Sequence, residues 1–170
     1  NPGGLLQEAI NVSNLFVEKG QEIVSTRGRM SDMTRTYTAS DSPLDAGLPI
    51  AVLVNSSSAS ASEIVSGSLQ DLDRAVIMGQ RTYGKGLVQT TRSLPYNAQL
   101  KVTTAKYYIP SGRCIQAVDY THRNADGSVG KVPDSLQHEF KTRNGRTVKD
   151  GGGILPDVIT SQKKYSSITS

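Results

Sequence analysis

An α/β fold follows from three features of the sequence. The continuous apolar run Pro49-Ile50-Ala51-Val52-Leu53-Val54-Asn55 ends in a cluster of small polar residues, the pattern of a strand covered on both faces of a parallel sheet. Ile64, Val65, Leu69 and Leu72 then recur at helical spacing. Arg74-Ala75-Val76-Ile77-Met78-Gly79 supplies a second apolar strand, so strand, helix and strand predict one parallel crossover unit.

The flanking segments extend this core. Pro2 precedes Leu5, Leu6, Ala9, Ile10, Ser13, Leu15, Phe16 and Val17, and Gly20 follows, which predicts an amphipathic helix opened by proline and closed by glycine. Residues 22–26 and 34–38 alternate around turn residues and predict two short strands or a hairpin; Asp41 to Pro49 is a polar connection. Beyond Gly86 the period becomes two, with Leu87 to Leu94, a turn at Pro95 to Asn97, and Gln99 to Ile109, a second hairpin. From about Val118 to Gly153 the chain is polar and glycine-rich, with turn signals at Asn124-Ala125-Asp126-Gly127 and Arg143-Asn144-Gly145-Arg146. That stretch reads as an insertion of loops and short strands within one domain spanning 1–170.

Composition narrows the function classes. A chain of 170 residues with 36% hydrophobic and 20% charged content fits one ordinary domain, and no apolar run approaches the roughly 20 residues of a membrane span. The net charge of +4 comes from scattered Lys and Arg without interleaved aromatics, densest at Lys163-Lys164 and between Arg143 and Lys149. This is a solvated basic surface, not the stripe or patch that binds nucleic acid. Cys114 is the single cysteine, so no intrachain disulfide forms; its alternating surroundings predict a buried structural thiol. Asn1-Pro2-Gly3-Gly4 reads as the start of an excised piece of a longer protein, so a missing targeting sequence says nothing about location.

Two residues stand out as chemistry. Ser60, followed by Ala61 and Glu63, sits where a buried strand hands over to a helix, whose first N–H groups have no intrahelical partner and can receive a negative oxygen. The rival reading is a capping box, in which Ser60 and Glu63 only satisfy the helix end; Ser57, Ser58 and Ser62 also compete for a nucleophile's place. Lys85, in Tyr83-Gly84-Lys85-Gly86, has a glycine on either side, which frees the backbone to turn sharply. A lysine desolvated there is a base for serine, whereas the bland reading is an exposed turn lysine.

Three other patterns fail. Gly79 to Lys85 has the spacing of a phosphate-binding loop, but Gly86 and a strand pattern follow where Ser or Thr and a helix are required. Ser161-Gln162-Lys163-Lys164 has the serine-lysine spacing of penicillin-binding enzymes without their other motifs. His122 and His138 fall in the polar insertion with no cysteines near, which makes a lysine base more economical than a histidine triad and reads as surface histidines rather than a metal site.

Taken together, Asn1-Pro2-Gly3-Gly4, Val54-Asn55 with Ser58-Ala59-Ser60-Ala61-Ser62-Glu63-Ile64, Gly79 with Thr82-Tyr83-Gly84-Lys85-Gly86 and Gln89, and Gly153-Ile154-Leu155-Pro156-Asp157-Val158 resemble the C-terminal processing peptidases, or tail-specific proteases. The resemblance covers nearly the whole chain apart from the insertion. It implies a crotonase-like α/β core and a serine endopeptidase with Ser60 as nucleophile, Lys85 as base and Gln89 orienting the lysine. It also implies an oxyanion hole of the Ala61 amide with Gly3 or Gly4, and no metal or organic cofactor.

The implied partners are protein or peptide substrates with flexible C-terminal tails, in the periplasm or cell envelope, with homo-oligomerisation left open and no nucleic acid. Family members carry a PDZ domain ahead of this core and a strand leading into Asn-Pro-Gly-Gly, neither of which is in this sequence, and their link to the Gly-Ile-x-Pro-Asp motif is shorter. The alternative is a noncatalytic module that holds peptide strands by backbone pairing; the joint presence of Ser60, Lys85 and Gln89 speaks against it.

Overall fold

Hydrophobic periodicity becomes two sheets that share one helix-backed core. The computed structural model describes residues 1–161. In chain order its helices and strands are α1 (Leu6–Asn14), β1 (Glu22–Gly28), β2 (Arg35–Thr38), β3 (Ala51–Val54), α2 (Ala61–Asp71), β4 (Val76–Gly79), β5 (Leu87–Ser93), β6 (Gln99–Tyr108), β7 (Val118–Arg123), β8 (Val129–Lys131), β9 (Glu139–Lys141), β10 (Thr147–Lys149) and β11 (Val158–Ile159). The expected α/β architecture is borne out. Strands β2-β1-β6-β5 form an antiparallel sheet, and β11-β4-β3 a parallel one.

The β3-α2-β4 crossover pairs Ala51 with Val76 through Val54 with Gly79 in parallel register. Ile64 and Leu69 on α2 join Val54, Ile77, Ile23, Val24, Tyr107 and Ile109 in the buried core, each fully buried aliphatic side chain contributing about 1.5–3 kcal/mol. Gly79 has φ +130°, and a Cβ there would sit 1.9 Å from the Val54 carbonyl oxygen. No other residue fits the end of β4 without moving β3.

Three expectations need correction. Strand β3 is not covered on both faces: Leu53 is 80% exposed. It is an edge strand, and α2 takes only the face bearing Val54 and Ile77, leaving Leu53 and Val76 uncovered among the described residues. Helix α1 ends at Asn14, well short of Gly20. The Asn14 side chain instead accepts the Ser40 N–H at 2.8 Å and donates to Asp41, while the Gly20 N–H bonds the Ala39 carbonyl in the turn into β1. Cys114 lies in a connection after β6, not in a strand, and is half-buried.

The sequence between β6 and β11 makes two hairpins, β7–β8 and β9–β10. The second is strapped to the C-terminal end of α2. The Arg143 N–H donates to the Asp71 carbonyl, the Asn144 N–H to Asp73, and Arg146 pairs with Asp73 and Asp157. Beneath it the guanidinium of Arg113, 1% exposed, bonds Asp71 and Gln70 at 2.8 Å each. Asp157 in turn accepts the Ile77 N–H at 2.8 Å, which locks β11 beside β4. Gln162 and Lys163-Lys164, part of the discarded Ser161 motif, lie outside the described residues.

Arg113→Leu should therefore destabilise the chain by about 3–5 kcal/mol in urea unfolding, since it strips a buried carboxylate of its charge partner. A milder, pH-dependent effect is expected at Asp73. Burial opposes its ionisation, but bonds from the Asn144 N–H, Arg146 and Thr142 outweigh burial and hold the carboxyl below its ordinary 3.8. Its contribution is complete above that value and is lost as pH falls below it through the folded-state value. The melting-temperature gap between the parent and Asp73→Asn should accordingly close under acid conditions and be widest near neutrality.

Candidate active site

In the turn from β3 to α2, Ser56 and Ser57 are exposed, Ser58 is buried and Ser60 is half-buried. The Ser58 N–H donates to the Asn55 carbonyl, and the Asn55 N–H to Ser58 Oγ at 3.1 Å. The Ala59 N–H reaches back to the Asn1 carbonyl. Ser60 then adopts φ 59° and ψ −120°, a conformation costing a non-glycine residue about 1–3 kcal/mol that must be over-determined by its surroundings. Strained strand-to-helix turns of this kind push a serine hydroxyl outward beside the helix N-terminus.

Glu63 supplies the restraint. The carboxylate half of the expected capping box is present, with the Ser60 N–H on the Glu63 side chain, but it is only part of what the carboxylate does. Glu63 has no exposed surface and accepts four hydrogen bonds. The Ser60 N–H (2.8 Å) and Lys85 N–H (2.9 Å) reach Oε2, and the Gly84 N–H (2.7 Å) and Thr82 hydroxyl (2.5 Å) reach Oε1. One side chain thus fixes both the serine turn and the lysine loop. Gly84 has φ +85°, and a Cβ there would approach the Ala117 methyl to 2.4 Å, so only glycine lets the loop pack this closely.

Ser60, Ala61, Gly4, Lys85 and Gln89 line a single cavity of about 260 Å³. Ser57 shares a neighbouring cavity with Lys85 and Gln89 but stands away from Ala61 and the glycines. Ser62 lines the apolar groove beside α1, with Gly3 and Gly4 but without Lys85. That groove is larger, at about 630 Å³, yet the reactive residue types converge in the smaller space. Gln89 follows an irregularity in the β5–β6 ladder, between the Val88–Ala105 and Gln89–Thr103 pairs, a device that re-aims side chains next to sites.

Gly3 and Gly4 differ. The Gly3 N–H donates to Asn1 Oδ1 at 3.0 Å, and its Cα packs so closely that a Cβ would lie 2.4 Å from the Ala59 carbonyl oxygen. Gly4 borders the cavity itself. His122 and His138 are exposed and pair with Asp119 and Asp150, away from Ser60. Burial raises the Cys114 thiol above its ordinary range, which suits a structural thiol better than a nucleophile.

Sequence reading missed Tyr107. Its hydroxyl lies 3.1 Å from Ser60 Oγ and 2.5 Å from the Lys85 carbonyl oxygen. Among the described residues the Ser60 hydroxyl bonds Tyr107 and not Lys85 Nζ. The signal was the inward set Ala105, Tyr107 and Ile109 at the end of β6, which period-two reading marks as core without saying what the hydroxyl meets. Gln116 was missed as well; its side chain accepts the Gly86 N–H and donates to the Val118 carbonyl, joining the lysine loop to β7.

The cleft extends beyond this centre. Leu87 and Gln89 also line a cavity of about 620 Å³ with Tyr83 and Tyr120, and one of about 530 Å³ under β7 with Val118, Val132 and Leu136. The segment after residue 118 therefore walls the side of the cleft away from α1.

Residues 1–122 match the family model described as peptidase family S41. The chain belongs to that family. It is 52% identical over 121 residues to a carboxy-terminal-processing protease of Bartonella bacilliformis, covering 71% of this chain and 28% of that protein. It is 42% identical over 169 residues to a probable CtpA-like serine protease of Staphylococcus aureus strain N315, covering 99% of this chain and 27% of the relative. This S41 chain thus spans little more than a quarter of the length of these relatives. Among solved structures it resembles the photosystem II D1 C-terminal processing protease, with a TM-score of 0.66 and 30% identity over 94% of this chain and 32% of that one. Mature CPAF, at 12% identity and a TM-score of 0.55, shares the fold.

Glu63→Gln tests the buried acceptor. It keeps the shape but turns one oxygen into a donor facing other donors, at a cost on the order of 1–3 kcal/mol for each group stranded. The urea midpoint should fall with the m-value unchanged.

Proposed function

We propose that this S41 chain is the catalytic core of a serine endopeptidase that works through Ser60 and Lys85. The observation that carries the reading is the strained Ser60 at the head of α2, sharing one cavity with Lys85, Gln89 and Gly4. Ser60 Oγ attacks the peptide carbonyl carbon while Lys85 Nζ takes its proton. The tetrahedral oxyanion is held by the Ala61 N–H, an orphan donor at the first position of α2, together with the Gly4 N–H. Gly4 is preferred to Gly3 because the Gly3 N–H is engaged by Asn1. Collapse expels the amine, which recovers the proton from Lys85, and water then hydrolyses the acyl-enzyme with Lys85 again as base. Gln89 directs the amine.

The substrates in this reading are polypeptides cut near flexible C-terminal tails, in keeping with the names of the Bartonella and photosystem II relatives. An extended peptide would lie along the cleft past Leu87 and Gln89, where β5 is an edge strand. In this reading residues 1–170 belong to one catalytic unit with an insertion at about 118–153. Within the longer protein a PDZ domain ahead of the core captures the tail, and the setting is the cell envelope.

In the full chain, Ser60→Ala and Lys85→Ala should each lower kcat/KM for an unstructured peptide by about 10³-fold or more, with a smaller loss for Gln89→Ala. Cleavage at the parental rate by both Ser60→Ala and Lys85→Ala would sink the proposal. Binding without cleavage by the parent would favour a noncatalytic peptide-holding module.

A further inference from the structure

Tyr107 touches both halves of the candidate machinery with one hydroxyl. Its ring is 3% exposed in the core, and its oxygen stands 2.5 Å from the Lys85 carbonyl oxygen and 3.1 Å from Ser60 Oγ. A phenol has one hydrogen and can also accept. The carbonyl can only accept, so the shorter contact takes the phenol hydrogen. The Ser60 hydroxyl is then the donor to Tyr107, and its hydrogen points to the phenol rather than to the amine.

We propose that Tyr107 is a third catalytic residue of this site: it holds Ser60 Oγ and the Lys85 main chain in one cavity and carries the Ser60 hydroxyl hydrogen in the resting arrangement. Attack then requires that hydrogen to turn from Tyr107 to Lys85 Nζ. The Ser60 O–H bond breaks, the new N–H bond forms on Lys85, and Tyr107 keeps its own hydrogen. With the Ser60 hydrogen gone, the phenol hydrogen turns from the Lys85 carbonyl to Oγ and donates, from a neutral group, to the charge growing there. Burial is the main influence on the phenol and raises it above the ordinary tyrosine range, the bond with Ser60 opposing only in part, so Tyr107 acts as a hydrogen-bonding group and not as a competing base. A purely structural tyrosine would be satisfied by the Lys85 carbonyl alone; the second contact goes to the one serine with positive φ among the described residues.

The inference rests on the assignment of Ser60 and Lys85, and the experiment separates the two. Tyr107→Phe keeps the ring that fills the core. In the full chain it should lower kcat for an unstructured peptide roughly 10- to 100-fold while KM stays within about threefold. The rate at which a small fluorophosphonate labels Ser60 should fall in parallel. The labelling amplitude counts competent molecules, so the rate constant stays interpretable even if part of the variant unfolds. Ser60→Ala, run alongside, should abolish both labelling and cleavage; if it does not, the underlying assignment fails. If Ser60→Ala is inactive but Tyr107→Phe matches the parent within twofold in kcat and labelling rate, the role of Tyr107 is overturned. A loss confined to KM or to labelling amplitude overturns it equally.

Discussion

A carboxylate shut away from water holds the candidate centre together. Glu63 receives hydrogen bonds from Ser60 on one side and from Thr82, Gly84 and Lys85 on the other. Bonds to an ionised acceptor are roughly twice as strong as neutral ones, and here four of them converge on two oxygens. The strained backbone of Ser60 persists because its N–H has this partner. The glycine-flanked loop keeps its shape for the same reason. Remove the acceptor and the two segments keep only the Tyr83 N–H bond to the Ser58 carbonyl and the Tyr107 hydroxyl between them.

The rest of the fold serves to bring those segments within reach. The parallel crossover places the start of α2 and the loop after β4 at the same end of the sheet, because strands running in one direction deliver their C-terminal ends to one edge. Gly79 allows β4 to close on the Val54 carbonyl, and Asp157 pins β4 to β11 and α2 together. At the other end of α2, Arg113, Asp71 and the β9–β10 hairpin make a polar clamp. The helix is therefore restrained at both ends, while the cleft between Ser60 and β7 stays open.

The fold was legible where one residue pattern had one physical meaning. The apolar runs at β3 and β4, the helical spacing between them, and the period-two hairpin of β5 and β6 all stand close to where the pattern put them. Reading failed where the outcome depended on a partner distant in the chain. Whether β3 had one or two covered faces was decided by what packs on Leu53, and the end of α1 by a loop that recruits Asn14. The two-residue strand β11 draws its place from the Asp157 bonds to Ile77 and Gln70, which no local periodicity encodes.

At the site, Ser60, Lys85 and Gln89 could be picked out because glycines, a strand-to-helix junction and a run of motifs marked their positions. What the sequence determined alone was therefore a set of residue types at element ends, together with the α/β class, since both depend on interactions within a few residues of chain. The tertiary structure decided that Ser60 shares one cavity with Lys85, Gln89 and Gly4, that Glu63 is more than a cap, that Gly3 and Gly4 have different surroundings, and that Tyr107 bonds both Ser60 and the Lys85 main chain. Those are matters of hydrogen-bond direction and close approach between segments 19 to 47 residues apart, and they exist only once the core has drawn the segments together.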